Sequence, residues 1–500
     1  MRWEINTGVP FNSFQYFEKT LIAPNGFREY DLRWLLGKDI NPNGFLVMGR
    51  SYGTYLRRVL GTSQAIIGHD FRAYSQNLGF AFIVGLLASG IDVIDIGLAL
   101  TPIVYFAQHH FQCAGAAAIT ASHNENGWTG IKLSNGLSST LGPEEIQQMR
   151  SIVEKGDFEN GRGEYKSAEG IFDLYLKDIL AAGPLTHPLK VVFAAGNGTA
   201  GLYGPPVLRA LGCNVIELHC EGNWDFPNHN PNPEDVAFLK SISESTRANG
   251  ADIGIGIDGD GDRIGVVDDK GREVFSDKLG LLIARWICPQ FPNRSIVIDV
   301  KSTGLFYDDP ILKKHNCSVL TWKTGHSYIK AKVAESHALA GFEKSGHWFF
   351  NDPLGRGYDD ALGSAAHLLR MLVGCGATLS SLVDALPKTW QSPTLGVFCA
   401  DEEKYKVVDQ VVKLYEQDQQ KGVVIGGQRI KELVTVNGVR FVLKDDSWGL
   451  VRASSNKPSI VIVAESKNSR DQLYDIIENI QSRLAGTGKV GEYDQQMEPR

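Results

Sequence analysis

The sequence lacks most of the features that mark a secreted, membrane-spanning or nucleic-acid-binding chain. Its seven cysteines (Cys113, Cys213, Cys220, Cys288, Cys317, Cys375 and Cys399) include no C-x-x-C pair. A scattered, odd-numbered set in a long chain argues against a disulfide framework and a thiolate zinc site. No apolar run reaches the roughly 18 residues that cross a bilayer, and the opening MRWEINTGVPFNSF has neither the basic stretch nor the apolar core of a signal peptide. Reduced thiols and a cytoplasmic location are expected. Positive charge is not in excess either: 50 Lys and Arg against 57 Asp and Glu give a formal charge of -7. That balance provides no electrostatic reason for binding nucleic acid or an anionic membrane. An anionic substrate would need a local basic pocket.

What is present is repetition. At 500 residues the chain is too long for one core, and short apolar strands recur in company. QAIIGHD (64–70) precedes the helical stretch LGFAFIVGLLASG and the strand DVIDIG; LKVVFAAGNG (189–198) precedes LYGPPVLRALG and NVIEL; SIVIDVKSTG (295–304) precedes a helical segment and CSVLTW. Each is a strand-helix-strand unit, the pattern of a mostly parallel sheet covered by helices. Each then runs into another small or apolar strand that ends in a polar loop: GAAAI before TASHN, DIGIGI before DGDGDR, HALAGF before EKSGH. Ligands of open α/β sheets sit at the carboxyl ends of strands, so three such units around a cleft would aim three loops at one ligand.

From about residue 393 the texture changes. KVVDQVVKLYEQD reads as an amphipathic helix, LVTV-NG-VRFVL as a two-residue hairpin, and WGLVRAS, SIVIVAES and a final helix follow. The expected fold class is α/β: three similar α/β domains with mixed, mostly parallel sheets over 1–168, 169–292 and 293–392, plus a C-terminal α+β domain with an antiparallel sheet over 393–500, around a central cleft. In the last domain Arg452, Ser454, Ser455, Asn456 and Lys457 share one loop, a donor cluster with a planar cation that suits a phosphate and that is otherwise a polar turn.

Asp258, Asp260 and Asp262 alternate with glycines in IDGDGDRIG. Three like charges crowd together when a cation neutralises them, and oxygen-only ligands indicate a hard ion, magnesium before calcium. An EF-hand is excluded because its sixth and twelfth positions, Gly and Glu, are Arg263 and Asp269 here. Arg263 beside the carboxylates suits a phosphoryl group bridging metal and guanidinium. A nucleophile is then needed, and Ser122 in TASHN, with His123 next to it and Lys132 ten residues on, could carry phosphate and offer one phosphoryl oxygen to the metal. The pattern is not the G-x-S-x-G of serine hydrolases. Glu343, Ser345 and His347 in the third loop fit sugar hydroxyls, although alone they read more readily as a polar turn.

Taken together and in order, FREYDLRW (27–34), TASHNE, DGDGDR, FEKSGH and RASSNKP resemble the loops of the α-D-phosphohexomutase superfamily, most closely its bacterial phosphomannomutase/phosphoglucomutase group. The resemblance covers nearly the whole chain. It implies a phosphoserine at Ser122 and magnesium ligands at Asp258, Asp260 and Asp262, completed by Ser122 through its phosphoryl group. It further implies sugar contacts from Glu343, Ser345 and His347, acid/base candidates in Lys132 and His347, and a phosphate grip by Arg452, Ser454 and Asn456. Tyr30 and Arg33 fall at the cleft, and Lys323 and His326 of KTGHSYIK near substrate. The activity implied is interconversion of hexose 1- and 6-phosphates of mannose, glucose or both, with one magnesium per chain and a hexose 1,6-bisphosphate intermediate. Sugar phosphates are then the partners, without nucleic acid or membrane, for a monomer or weak dimer. Glucosamine phosphate specificity, a magnesium-dependent phosphatase and a non-catalytic sugar-phosphate binder are the alternatives. Three departures bear on substrate preference: Glu125 stands where the family has Pro, Trp34 where it has Gly, and SSN where it has SNT.

Overall fold

The computed structural model describes residues 19–495 and Met497; the reading of residues 1–14 as lacking a signal peptide lies outside them. The chain divides into two compact units. One runs to Leu279 and takes in Ser345–Ser381, the other comprises Gly280–Lys344 and the chain from Leu382 on.

The first unit holds two sheets, each with a parallel centre and an antiparallel edge. In the first sheet Gln64–His69 pairs in parallel with Asp92–Leu98 and Gly115–Ile119, and Gly115–Ile119 pairs antiparallel with Trp128–Gly136, which Leu32–Leu35 borders. In the second, Lys190–Ala194 pairs in parallel with Asn214–Leu218 and Ile253–Ile257, and Ile253–Ile257 antiparallel with Ile264–Asp268. The all-buried runs GAAAI and IGIGI are central strands, as near-continuous small and apolar residues dictate for strands covered on both faces. Both polar loops of this unit are therefore reversals, turning a parallel strand's carboxyl end into an antiparallel neighbour. Helices Pro42–Tyr55 and Ser75–Ala88 bury Phe45, Met48, Tyr52, Leu78, Phe82 and Leu86 against the first sheet's core. Helix Val236–Asn249 packs Phe238, Leu239 and Ile242 on the second.

In the second unit Ser295–Asp299 pairs in parallel with Ser318–Trp322 and Ala340–Phe342. The C-terminal sheet is antiparallel throughout, built mainly on Gln428–Val434, Val439–Leu443, Trp448–Ala453 and Ser459–Ser466, with helices Lys404–Lys421 and Arg470–Ala485. The expected two-residue turn at Asn437-Gly438 is longer. The strands stop at Val434 and resume at Val439 with Val434 opposite Arg440, and Asn437 Oδ1 accepts a hydrogen bond from Thr324 N at 3.4 Å. The asparagine is thus spent on a neighbouring loop rather than on a tight turn. Arg440, buried in the same unit, donates to the carbonyls of Val300 and Ser302 at 3.0 and 2.8 Å and stacks on Trp448 at 3.8 Å. Among the described residues no helix is long and apolar enough to cross a membrane, and all seven cysteines are free thiols.

Candidate active site

Ser122 follows the buried strand Gly115–Ile119 with a left-handed backbone, φ 50°. Its Oγ donates to Asp258 Oδ2 at 2.8 Å and lies 3.3 Å from His123 Nδ1. Arg33, next to the loop on strand Leu32–Leu35, braces it by donating to Thr120 O at 3.0 Å while paired with Asp31 at 3.2 Å. Tyr30 is buried nearby in sequence. Trp34, where the family has glycine, belongs to the core. Its Nε1 donates to Ala23 O at 2.8 Å and its ring lies on Gly26, where a Cβ would stand only 1.8 Å from it. Glu125 is exposed.

Asp258, Asp260 and Asp262 are fully buried. The tight turn folds three backbone amides, of Gly261, Asp262 and Arg263, onto Asp258 Oδ1 at 3.1, 3.1 and 3.2 Å. Thr101 at the start of helix Thr101–Phe111 donates to Asp260 Oδ2 at 2.7 Å. Lys132 donates to the same oxygen at 2.7 Å and also bonds Asp262. Burial, and then Asp262 and Asp260, push Asp258 well above the usual carboxylate range. Burial followed by Asp260 does the same to Asp262. Burial would also raise Asp260, but Lys132 outweighs it and holds that group at about 2. For Lys132 burial acts downward, and Asp260 with Asp262 overcomes it to keep the ammonium charged.

The three aspartates offer oxygens within 4.8 Å of one another. Asp260 Oδ1 and Asp262 Oδ1 are buried without a hydrogen-bond partner, which is what a cation ligand requires and an ordinary buried carboxylate avoids. An oxygen-only, carboxylate-rich set fits a hard divalent cation. His347 joins this cluster: its Nδ1 is 3.0 Å from Asp359 and 3.7 Å from Asp262. Arg263 Nε lies 3.6 Å from Asp258, its Nη1 3.4 Å from Glu234, and its Nη2 touches His123.

Glu343, Lys323, His326 and the RASSNKP loop belong to the second unit, whereas Ser345 and His347 belong to the first. Glu343 Oε1 accepts from Gly325 N, fixing the carboxylate against the loop that carries Lys323 and His326. Lys323 Nζ is 5.4 Å from the Tyr328 ring, and His326 is buried at the start of helix His326–Glu335. Asp299, fully buried at the end of its strand, accepts from Thr324 Oγ1 at 2.9 Å and Lys344 N at 3.4 Å. Arg452, at the end of strand Trp448–Ala453, donates to Ala453 O at 2.7 Å and keeps a buried Nε without a partner. Ser454 N closes the loop onto Ser459 O at 2.9 Å, and Asn456 is partly buried within it.

Sequence reasoning missed Thr101, Glu234, Asp299 and Asp359. It also missed Lys301, a buried lysine 3.9 Å from Asp299. Only Lys301 and Asp299 carried a sequence signal, as charged residues closing an apolar strand.

A serine aimed at a carboxylate cage that fits a divalent cation, with lysine, arginine and histidine around it, defines a phosphoryl-handling centre on an α/β scaffold. Family models for phosphoglucomutase/phosphomannomutase match along the chain in order: alpha/beta/alpha domain I at 24–160, domain II at 173–271, domain III at 275–390 and the C-terminal domain at 397–482. A phosphomannomutase/phosphoglucomutase of Pseudomonas putida is 34% identical over 445 residues, 89% of this chain and 92% of that protein. The crystal structure of a phosphoglucomutase/phosphomannomutase family protein from Burkholderia thailandensis superposes with a TM-score of 0.83 at 31% identity, covering 94% of this chain and 98% of that one. An Aspergillus fumigatus N-acetylphosphoglucosamine mutase variant, solved with glucose 1,6-bisphosphate, shares the fold at 13% identity and a TM-score of 0.57 over 95% of this chain and 98% of its own. The chain belongs to the phosphoglucomutase/phosphomannomutase family.

Proposed function

We propose that the chain is a phosphohexose mutase that interconverts the 1- and 6-phosphates of mannose, glucose or both, with Ser122 as the phosphoryl carrier. The observation that carries this reading is the 2.8 Å bond from Ser122 Oγ to Asp258, the first of three buried aspartates. Phosphoserine gives its phosphoryl to the free sugar hydroxyl, the resulting bisphosphate turns over, and the other phosphoryl returns to Ser122 Oγ. Each transfer breaks one P–O bond, forms one, and moves one proton.

Asp258, Asp260 and Asp262, with a phosphoryl oxygen on Ser122, would hold magnesium, one per chain. That ion supplies Lewis-acid neutralisation of phosphoryl charge. Arg263 adds a guanidinium for the same oxygens, and His123 takes or returns the Ser122 proton, a role its 3.3 Å distance from Ser122 Oγ supports. Lys132, held charged by two aspartates, can donate a proton, and His347 on Asp359 is a second acid/base candidate. Glu343, Ser345 and His347 read sugar hydroxyls, with Lys323, His326, Tyr30 and Arg33 around the substrate. Arg452, Ser454 and Asn456 hold the non-reacting phosphate. The same reading divides the chain at 168, 292 and 392, takes hexose 1,6-bisphosphate as activator, and makes the protein a cytoplasmic monomer or weak dimer. Seven free cysteines support a reducing compartment.

Coupled assays with mannose, glucose and glucosamine 1-phosphates, alongside intact-mass analysis, test it. The expected result is 6-phosphate formation from the first two, lost in EDTA and restored by magnesium, with one phosphate on Ser122. Release of inorganic phosphate without isomerisation would identify a phosphatase instead, and a preference for glucosamine 1-phosphate would reassign the substrate.

A further inference from the structure

Ser122 adopts a backbone conformation that L-residues avoid, so something must hold it there. The carbonyls that this bend exposes converge on one side chain. Arg72 Nη2 donates to Ser122 O at 2.9 Å and to Asn124 O at 2.6 Å, and its Nη1 to Glu125 O at 3.3 Å. Arg72 is itself buried, with Phe226 under its guanidinium at 5.1 Å. Its Nε is 3.3 Å from Asp70 Oδ2. Asp70 is anchored in turn, since its carboxylate accepts from Arg72 N at 3.1 Å, from Ser75 Oγ and from Ala121 N at 3.4 Å, and its own amide donates to Ile119 O at 3.0 Å. On its far side the Ser122 carbonyl abuts Gly259 of the aspartate loop, where a Cβ would come within 2.5 Å of that oxygen.

We propose that Arg72, oriented by Asp70, is the positioning residue of the nucleophile: it captures three loop carbonyls and so fixes the Ser122 backbone in the left-handed form that points Oγ at Asp258. The inference rests on Ser122 being the phosphoryl carrier. A guanidinium is needed because its rigid fork meets several acceptors at once, whereas an ammonium is a point donor on a flexible stem. Asp70 and Arg72 close the first strand of the first repeat, in QAIIGHDFR. The rigidity of a central strand is thereby passed to the loop that ends the neighbouring one.

Arg72→Ala and Arg72→Lys in the full chain test this, with Arg58→Ala, an exposed arginine paired with Asp157 and Glu159, as control. Misplacing a reacting atom by about 1 Å costs on the order of 100-fold. Arg72→Ala should therefore lower kcat by about 100-fold with KM within about threefold, and slow phosphorylation of Ser122 by glucose 1,6-bisphosphate by the same factor. Hydrogen exchange over residues 120–128 should rise about tenfold while the sheet strands stay protected, and Arg72→Lys should fall between alanine and wild type. Arg58→Ala should match wild type. Wild-type phosphorylation of Ser122 in Arg72→Ala, unchanged exchange in the loop, or exchange raised equally throughout the domain would overturn the proposal. If Arg72→Ala does not fold, Arg72→Lys carries the same readouts. If wild-type Ser122 never takes phosphate, the carrier reading fails, and loop exchange alone then decides the role of Arg72.

Discussion

Lys132 Nζ donates to Asp260 Oδ2 at 2.7 Å and bonds Asp262 as well, so a buried ammonium stands where two buried carboxylates converge. Removing one partner of such a cluster leaves charge uncompensated at a cost of about 3–5 kcal/mol. Lys132→Met should therefore melt well below wild type in EDTA, and magnesium should raise its Tm more than that of wild type. Equal magnesium shifts in the two proteins would mean that the cation and the ammonium do not neutralise the same aspartates.

Ser122 offers a paired test of chemistry and backbone. Both Ser122→Ala and Ser122→Gly lose the Oγ bond to Asp258, and both should be inactive and free of covalent phosphate. They differ in the left-handed φ of 50°, which costs a residue with a Cβ about 1 kcal/mol more than glycine. Denaturant unfolding should find the glycine variant more stable than the alanine variant by about that amount. The reverse order would show that the conformation is not strained.

The proposed division of labour gives phosphate holding to Arg452 and sugar reading to Glu343. Arg452 spends Nη1 on Ala453 O and retains a buried Nε without a partner, leaving donors for a phosphate. Charged hydrogen bonds of this kind are worth about 1.5–3 kcal/mol, so Arg452→Ala should lower kcat/KM roughly 10- to 150-fold for mannose and glucose phosphates alike. Glu343→Gln, by replacing an acceptor-only group, should change the ratio between the two sugars. Measuring both ratios in both variants decides it: a shifted ratio in Arg452→Ala with a constant one in Glu343→Gln would reverse the assignment.

The loops of this site were legible because each is local. TASHN and DGDGDR each close a wholly buried strand, and the alternation of aspartate with glycine is visible without a fold. Their supports were not legible. Thr101 meets Asp260 across 159 residues and Arg72 meets Ser122 across 50, and no periodicity signals either pairing. His347 shows the same limit: its ring is fixed by Asp359, and no spacing in FEKSGH signals that contact. Trp34 departs from the family's glycine in FREYDLRW, and the fold accommodates it by volume, since the indole fills the space that Gly26 leaves.

His367 gives the fold a pH signature separate from catalysis. Its ring stacks on Phe350 at 3.9 Å and its Nε2 bonds Leu354 O at 3.1 Å, and burial, with Arg370 adding repulsion, lowers its pKa to about 4. The unfolded chain takes this proton near 6.5, so the stability present above about pH 6.5 is lost as pH falls toward 4, by about 3 kcal/mol in all. Asp360, capping the same helix Ala361–Cys375, works in the opposite sense: burial raises it to about 6, so the folded state takes up its proton first and gains stability as pH falls from about 6 to 4. In wild type the two trends offset one another. His367→Phe, which carries a pH-independent offset for the lost Leu354 bond, should gain about 3 kcal/mol relative to wild type between pH 7 and 4. Asp360→Asn should show the reverse trend, losing relative stability as pH falls through the same window. Urea unfolding across that range measures both, and parallel pH profiles for His367→Phe and wild type would mean that His367 already binds its proton in the folded protein.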